Sequence, residues 1–247
     1  MRSIDYTLAF LADVHLDPSL PPCPAWEGAK KFVKAMQPDW IILGGDFMNM
    51  GALSHWDLQK RGLIEGKRYW NEIELAQKEL DYLQKHCKKA RFVYLEGNHE
   101  HWAKQYLERN PEMLGFIDVV KNLCLRERGF EWVEINRVYR VGKMNFLHGW
   151  YVNKYHANKT LQVMGDNCMY GHMHDHQATI MRLRASQEQY IAIAVGCLCD
   201  LNPHYQRNKP NRWVHGFGWV EYYGDGEFQA HHLFVNNGKV AFGGKVY

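Results

Sequence analysis

Apolar positions in the first two thirds of the chain come in short, nearly unbroken runs: TLAFLA at 7–12, WIIL at 40–43, RFVYL at 91–95 and MNFL at 144–147. Such runs of branched and aromatic residues predict strands, and the lack of a polar face predicts a sheet covered on both sides. Between them the spacing changes. WEGAKKFVKAM at 26–36, with Pro24 at a helix start, and RYWNEIELAQKELDYLQKH at 68–86 place apolar residues at the helical period. The rhythm is βαβ.

Beyond His174 the pattern turns to alternating runs punctuated by turn residues, in QATIMRLRA, QYIAIAV and GWVEYYGDGEFQAHHLFV, then NNG at 236–238. These predict antiparallel hairpins and a second, β-rich sheet built after His174. No repeat, low-complexity tract or Pro/Ser-rich linker divides the chain. Residues 1–247 are therefore expected to form one α/β domain, a sandwich of two sheets with flanking helices and a β-rich C-terminal part.

Composition changes this picture little. Hydrophobic residues make up 46% of the chain, enough for a full core, and the formal charge of +3 is far from that of a protein that coats a polyanion. MRSIDYTLAFLADVHLD has a short apolar run interrupted by Asp13 and no small-residue cleavage site, so a cytoplasmic location without signal peptide or membrane anchor is expected. Six scattered cysteines are expected as reduced thiols, and Cys197-Leu198-Cys199, with no second pair to complete a zinc site, as buried structural thiols.

Chemistry enters at the strand ends, each of which leads into a polar motif: DVH at 13–15, GGD at 44–46, GNHEH at 97–101, HG at 148–149 and GHMH at 171–174. Ligands of open α/β sheets bind just beyond the carboxyl ends of the strands, so groups far apart in sequence should converge in one crevice. Gly45, Gly97 and Gly171 each precede a candidate ligand and are expected to supply tight turns with positive φ. Asp13, His15, Asp46, Asn98, His148, His172 and His174 combine carboxylate, imidazole and amide donors, a set suited to borderline ions such as manganese, iron or zinc. Seven donors are too many for one ion and right for two, provided that one carboxylate, Asp46, bridges them.

The ordered motifs DxH, GD, GNH, HG and GHxH, from Asp13 to His174, resemble those of the calcineurin-like metallophosphoesterase superfamily, in the branch closest to bacterial phosphodiesterases and double-strand-break repair nucleases. The resemblance implies a metallo-dependent phosphatase-like fold with two divalent ions, manganese foremost and iron, zinc, nickel or magnesium also admitted. Asp13, His15 and His174 would hold the first ion and Asn98, His148 and His172 the second, with Asp46 shared. It also implies phosphoester hydrolysis by a hydroxide between the ions, with His99 donating a proton to the leaving oxygen or stabilising charge there.

GNHE resembles the protein serine/threonine phosphatases, but their arginine-bearing GDxVDRG is here GGDFMNMGA, which removes the clamp for a phosphate monoester. A phosphodiesterase acting on nucleotides or nucleic acid is expected, with a phosphomonoesterase of a small metabolite as the alternative. A metal-binding scaffold without catalysis is less favoured, because all seven donors and His99 are present. Aromatic and basic residues crowd the loops that should rim the crevice, and Trp102, Lys154, Tyr155, Arg207, Lys209 and Arg212 are the candidates for stacking bases and holding phosphates.

Overall fold

All four apolar runs are strands, and they divide between two sheets. The computed structural model describes residues 3–56, 60–182, 187–203, 206 and 209–247. In the first sheet β1 (Tyr6–Leu11), β2 (Trp40–Leu43), β3 (Arg91–Leu95) and β4 (Phe130–Val133) pair in parallel in that order. MNFL belongs to the second: β5 (Tyr139–Val141), β6 (Met144–Leu147), β7 (Cys168–Tyr170), β8 (His176–Arg182) and β9 (Gln189–Val195) lie in the order β5-β6-β7-β9-β8. The parallel strands of the first sheet are joined by α1 (Pro24–Met36), by the short α2 (Arg61–Ile64) with α3 (Tyr69–His86), and by α4 (Asn98–Arg109) with the short α5 (Val119–Asn122). Between β6 and β7 runs α6 (His156–Met164).

Alternate residues of β1 show why the runs are unbroken. Leu8 and Phe10 share a core with Val93, Phe146, Met169 and Ile193 between the two sheets, the Phe10 and Phe146 rings lying 5.4 Å apart. Ala9 and Leu11 share another with Trp26 and Phe32 of α1 and Ile73 and Leu80 of α3. Neither face can take a polar residue. A third cluster, Leu147, Tyr170, Ala192 and Ala194, is covered by Leu161 of α6. The result is an α-β-β-α layering, the two-sheet sandwich expected. Pro24 opens α1, and Gln37, in the left-handed region at φ 50°, ends it.

The placing of the second sheet after His174 is corrected. That sheet is built around β6 and β7, which precede His174, and of its strands β8 and β9 alone follow it. The hairpin of β10 (Gly216–Tyr223) and β11 (Glu227–Phe234) instead joins the first sheet, β10 running antiparallel to β1 with Leu8 opposite Val220 and Phe10 opposite Gly218. Val220 and Tyr222 enter the core between the sheets, and Phe217 and Trp219 the core under α1. Alternation tells which residues are buried, but not which sheet edge receives the hairpin. NNG makes a turn closed by paired hydrogen bonds between Asn236 and Lys239 (2.9 and 3.0 Å), and a two-strand ribbon of β12 (Ala241–Phe242) and β13 (Lys245–Val246) follows.

Among the described residues four helices lie outside the sequence expectations, the single-turn α2 and α5 and the longer α4 and α6. NHEHWAKQYLER forms α4 although its residues are mostly polar, and HANKTLQVM forms the short α6 although it is rich in weak helix formers. Each covers a sheet through a few residues, Trp102 and Ala103 for α4 and Leu161 for α6. Among the described residues no helix is long and apolar enough to cross a membrane.

The loop after β2 is tied to α3 by Glu72, which is 2% exposed and accepts the backbone N–H groups of Met50 and Ala52. Burial, with the Asp17 charge nearby, pushes its carboxyl from 4.5 up to about 8. A folded-state value above the unfolded one means that protonation favours the native state. Stability from this group is full below the unfolded value, falls as pH rises, and is lost above about 8. Glu72→Gln keeps the neutral shape and removes the titration. Urea unfolding should show the wild type losing on the order of a few kcal/mol relative to this variant between about pH 5 and 8. Parallel stability curves for the two proteins would rule the coupling out.

Candidate metal centre

Each of the five motifs begins within three residues of a strand end, and the backbone there is unusual. Asp13 (φ 56°), His15 (47°), Asp46 (50°), His172 (69°) and His174 (60°) all occupy the left-handed region, at roughly 1–2 kcal/mol per residue for side chains other than glycine. Backbone pairing continues past the strands to hold them. The N–H of Asp13 donates to Gly45 (3.1 Å), that of His15 to Asp46 (2.9 Å), that of Leu198 to Asp13 (3.0 Å) and that of Val214 to His174 (2.8 Å). In this geometry the two histidines of GHMH need not point to opposite faces.

The expectation that three glycines supply these turns is corrected. Gly45 does adopt positive φ, at 89°, but Gly97 sits at −87° as the N-cap of α4, and Gly171 is not among the positive-φ glycines. Their lack of a side chain serves close approach instead. A Cβ on Gly97 would lie 2.2 Å from the backbone nitrogen and Oδ1 of Asp46, and one on Gly171 2.3 Å from Oδ2 of Asp13. The ligand-bearing residues themselves carry the strained conformation.

The seven expected donors come together. Ligating atoms of Asp13, His15, Asp46 and His174 lie within 4.8 Å of one another, as do those of Asp46, His148 and His172. Asp46 is common to both sets: its Oδ2 is 3.7 Å from Nε2 of His15 and 3.4 Å from Nε2 of His148. In the first set Nε2 of His174 is 3.1 Å from both Nε2 of His15 and Oδ1 of Asp13. In the second Nε2 of His148 is 3.1 Å from Oδ1 of Asn98, and its ring packs 4.9 Å from that of His172. Nδ1 of His148 faces the Gly44 carbonyl at 2.9 Å, a bond that leaves Nε2 as the inward nitrogen.

Electrostatics divide the imidazoles in pairs. Burial works against charge on His148, but Asp46 overcomes it and raises the ring to about 10; His174 is raised to about 9 in the same way by Asp13. Burial and the charge on His148 push His172 down to about 4, and burial with the neighbouring His99 takes His15 well below its ordinary value. Each donor set thus draws one positive charge into itself.

His99 belongs to neither set. Its backbone N–H donates to Oδ1 of Asp46 (2.8 Å), its Nδ1 faces the Asn49 carbonyl (2.7 Å), and its Nε2 is 3.9 Å from Oδ2 of Asp46. Burial lowers its pKa. Trp102 stacks on it with ring centroids 3.9 Å apart and is itself 9% exposed, so this ring steadies His99 more directly than it meets solvent. Lys154 lies over the Tyr155 ring at 5.1 Å, and both side chains are exposed, as are Lys209 and Arg212. Arg207, with residues 204, 205 and 208, lies outside the described residues.

Three features carry no motif of their own. Glu100, 1% exposed on α4, accepts the N–H groups of Asp46 (2.9 Å), Phe47 (2.9 Å), Met48 (3.1 Å) and Gly97 (3.0 Å) and the hydroxyl of Tyr94 (2.9 Å). Its place three residues after the N-cap, as in a capping box, is the legible signal. His156 bridges Asp175, next after His174, and the Tyr170 hydroxyl, each at 2.7 Å. Cys199, buried as expected, also sets its thiol 3.9 Å from Nδ1 of His174 and within ligating reach of His15.

Carboxylate and imidazole donors gathered at strand ends, in two sets that share one aspartate, define a metal-dependent phosphoester hydrolase. The chain belongs to the calcineurin-like phosphoesterase family, whose model matches residues 6–244, and the family depends on two metal ions. Among solved structures it is similar to Yfce, a phosphoesterase from E. coli, at 14% identity over 93% of this chain and 100% of that one (TM-score 0.41). It is similar also to TT1561 of Thermus thermophilus, at 9% identity over 93% and 99% of the two chains (TM-score 0.37). A search of curated proteins returned no match.

Glu100→Ala should leave four backbone donors unpaired and destabilise the protein by about 3 kcal/mol or more. Glu100→Gln should be nearly as damaging, because both carboxylate oxygens accept N–H groups and an amide would turn a donor toward one pair. A glutamine variant as stable as wild type in urea unfolding would show that the carboxylate is not what ties the two turns together.

Proposed function

We propose that this protein is a phosphodiesterase acting on nucleotide-like diesters, with manganese as its preferred metal. The observation that carries the reading is the pair of donor sets meeting at Asp46 with His99 beside them. The donors fit metal ions: Nε2 of His15, Nε2 of His174 and Oδ1 of Asp13 converge within about 4 Å and call for a cation among them, a place that a proton on His174 takes when no metal is bound. Oxygen and nitrogen donors suit manganese, iron or zinc. Asp13, His15 and His174 hold one ion, Asn98, His148 and His172 the other, and Asp46 serves both.

Bound there, the two ions supply water activation and neutralise the phosphate oxygens. The protein supplies orientation and a proton. The His99 N–H fixes one oxygen of Asp46, and the Gly44 carbonyl fixes the tautomer of His148. His99, whose Nδ1–H donates to the Asn49 carbonyl, presents Nε2 to the centre and, when that nitrogen has also taken up a proton, gives it to the leaving oxygen and returns to the neutral ring. The GGDFMNMGA segment holds no basic residue that would clamp a monoester, which supports diesters. Lys67 supports the second reading, a phosphomonoesterase: it shares a cavity with His15 and Asn49, although its ammonium is engaged by Asp17 at 3.1 Å. Residues 1–247 act as one unit in this reading, since β10 and β11 complete the sheet that carries Asp13. All six cysteines are free, which supports a cytoplasmic setting.

Asp46→Asn should weaken both metal sites together, so elemental analysis of the dialysed protein should find less than one ion per chain and the rate should fall almost to background. His172→Ala and His174→Ala should each deplete a different ion. Occupancy unchanged in all three variants would end the dimetal assignment.

His99→Ala should keep both ions and lose roughly two to four orders of magnitude in rate. The loss should be smaller for nitrophenyl esters, whose leaving group needs little protonation, than for alkyl or nucleoside esters. In the wild type, bis-p-nitrophenyl phosphate should turn over faster than p-nitrophenyl phosphate. The reverse order, with nucleotide diesters inert, would give the phosphomonoesterase reading the site.

A further inference from the structure

A cavity of about 740 Å³ is lined by much of segment 14–24, including His15 of the metal centre, and by Trp26 of α1 and Leu75 of α3. A second of about 350 Å³ shares His15, Asp17, Leu20 and Asp200 with it and reaches Asn49 and Cys199. The two thus lie side by side, and both are lined by His15 of the first donor set. The volume of the larger falls in the range of small-molecule sites.

The lining is ill suited to a second phosphate. Pro18, Pro21, Pro22 and Pro24 give the overlying segment four residues without an N–H to offer an anion. The charged groups are mostly acidic, Asp17, Glu74, Glu79 and Asp200 against Lys78. Asp17 is engaged by Lys67 and Asn49, and Glu79 by Lys30 and the Trp26 indole. Glu74 and Asp200, against Lys78, leave the lining net acidic. An apolar lining with a net acidic balance attracts an uncharged group and repels an anionic one.

We infer that this cavity receives the uncharged organic group of the ester, so the substrate is a small diester bearing one apolar or aromatic substituent rather than a polynucleotide, whose next phosphate would have to enter here. The inference rests on the phosphodiesterase reading for its substrate, but on the cavity alone for its binding preference. Burying a ring-sized apolar group favours binding by roughly 10- to 100-fold.

Two arms test it on the manganese-loaded enzyme. In the first, phenylphosphonate and methylphosphonate are compared as competitive inhibitors, which reads the cavity whichever ester is cleaved. The phenyl compound should bind roughly 10- to 100-fold more tightly. Leu20→Glu, on an exposed loop, should collapse that ratio, and a carboxyphenyl analogue should lose the advantage and regain part of it in Asp200→Lys. In the second, phenyl and methyl p-nitrophenyl phosphates share a leaving group, and the phenyl ester should show the lower KM. If the inhibitor ratio holds while both diesters are inert, the diesterase reading fails and the cavity assignment stands. Equal inhibition by the two phosphonates, or a ratio untouched by Leu20→Glu, overturns the assignment. So does cleavage of single-stranded DNA faster than of any small diester.

Discussion

One buried carboxylate holds the metal centre in shape. Glu100 has lost its water and regained five donors, four of them peptide N–H groups from the turns that follow β2 and β3. Removing an anion from water costs several kcal/mol, so the arrangement is favourable only when its donors are all in place. That condition fixes the separation of the two turns, and with it the distance from Asp46 to Asn98 and His99. The return bond, from the His99 N–H to Asp46, closes the link from the other side. Burial and the Asp46 charge push the Glu100 carboxyl up to about 7, yet four peptide N–H groups, which can only donate, serve the ionised form. Glu72, reaching the same loop from α3, extends the support to Ala52.

The left-handed residues are the second constraint. Five donor residues adopt a conformation that side chains avoid, and backbone bonds crossing between the strand-end turns keep them in it. Two rings meanwhile carry charge raised by the carboxylates, one in each donor set. Protons and metal ions therefore compete for the same positions, and metal binding is coupled to their release.

Donor positions are legible because each follows a strand end within a few residues, so that identity and place are written together in short motifs. What holds them is not. Glu100 meets Asp46 across 54 positions, and a bond to backbone N–H leaves no mark on the partner's identity. His156 beneath GHMH and Cys199 beside His174 are hidden for another reason: their partners are side chains, but no motif spacing links the two members of each pair. At Gly97 and Gly171 the residue type is informative but its reason is hidden, since a glycine needed for close approach reads like one needed for a turn. The faces of β10 and β11 are visible in their alternation, whereas their partner β1 lies some 200 residues away and is found only in three dimensions.

The pairing of β10 with β1 gives the molecule a history as well as a shape. During synthesis the strand that leads into Asp13 emerges some 200 residues before its antiparallel neighbour, so one edge of β1 waits unpaired through that interval. The last donor, His174, emerges well before Gly216 begins to cover that edge. Until then β1 displays an open, apolar edge, the kind of surface that aggregates or engages chaperones, although every expected metal donor has already been made.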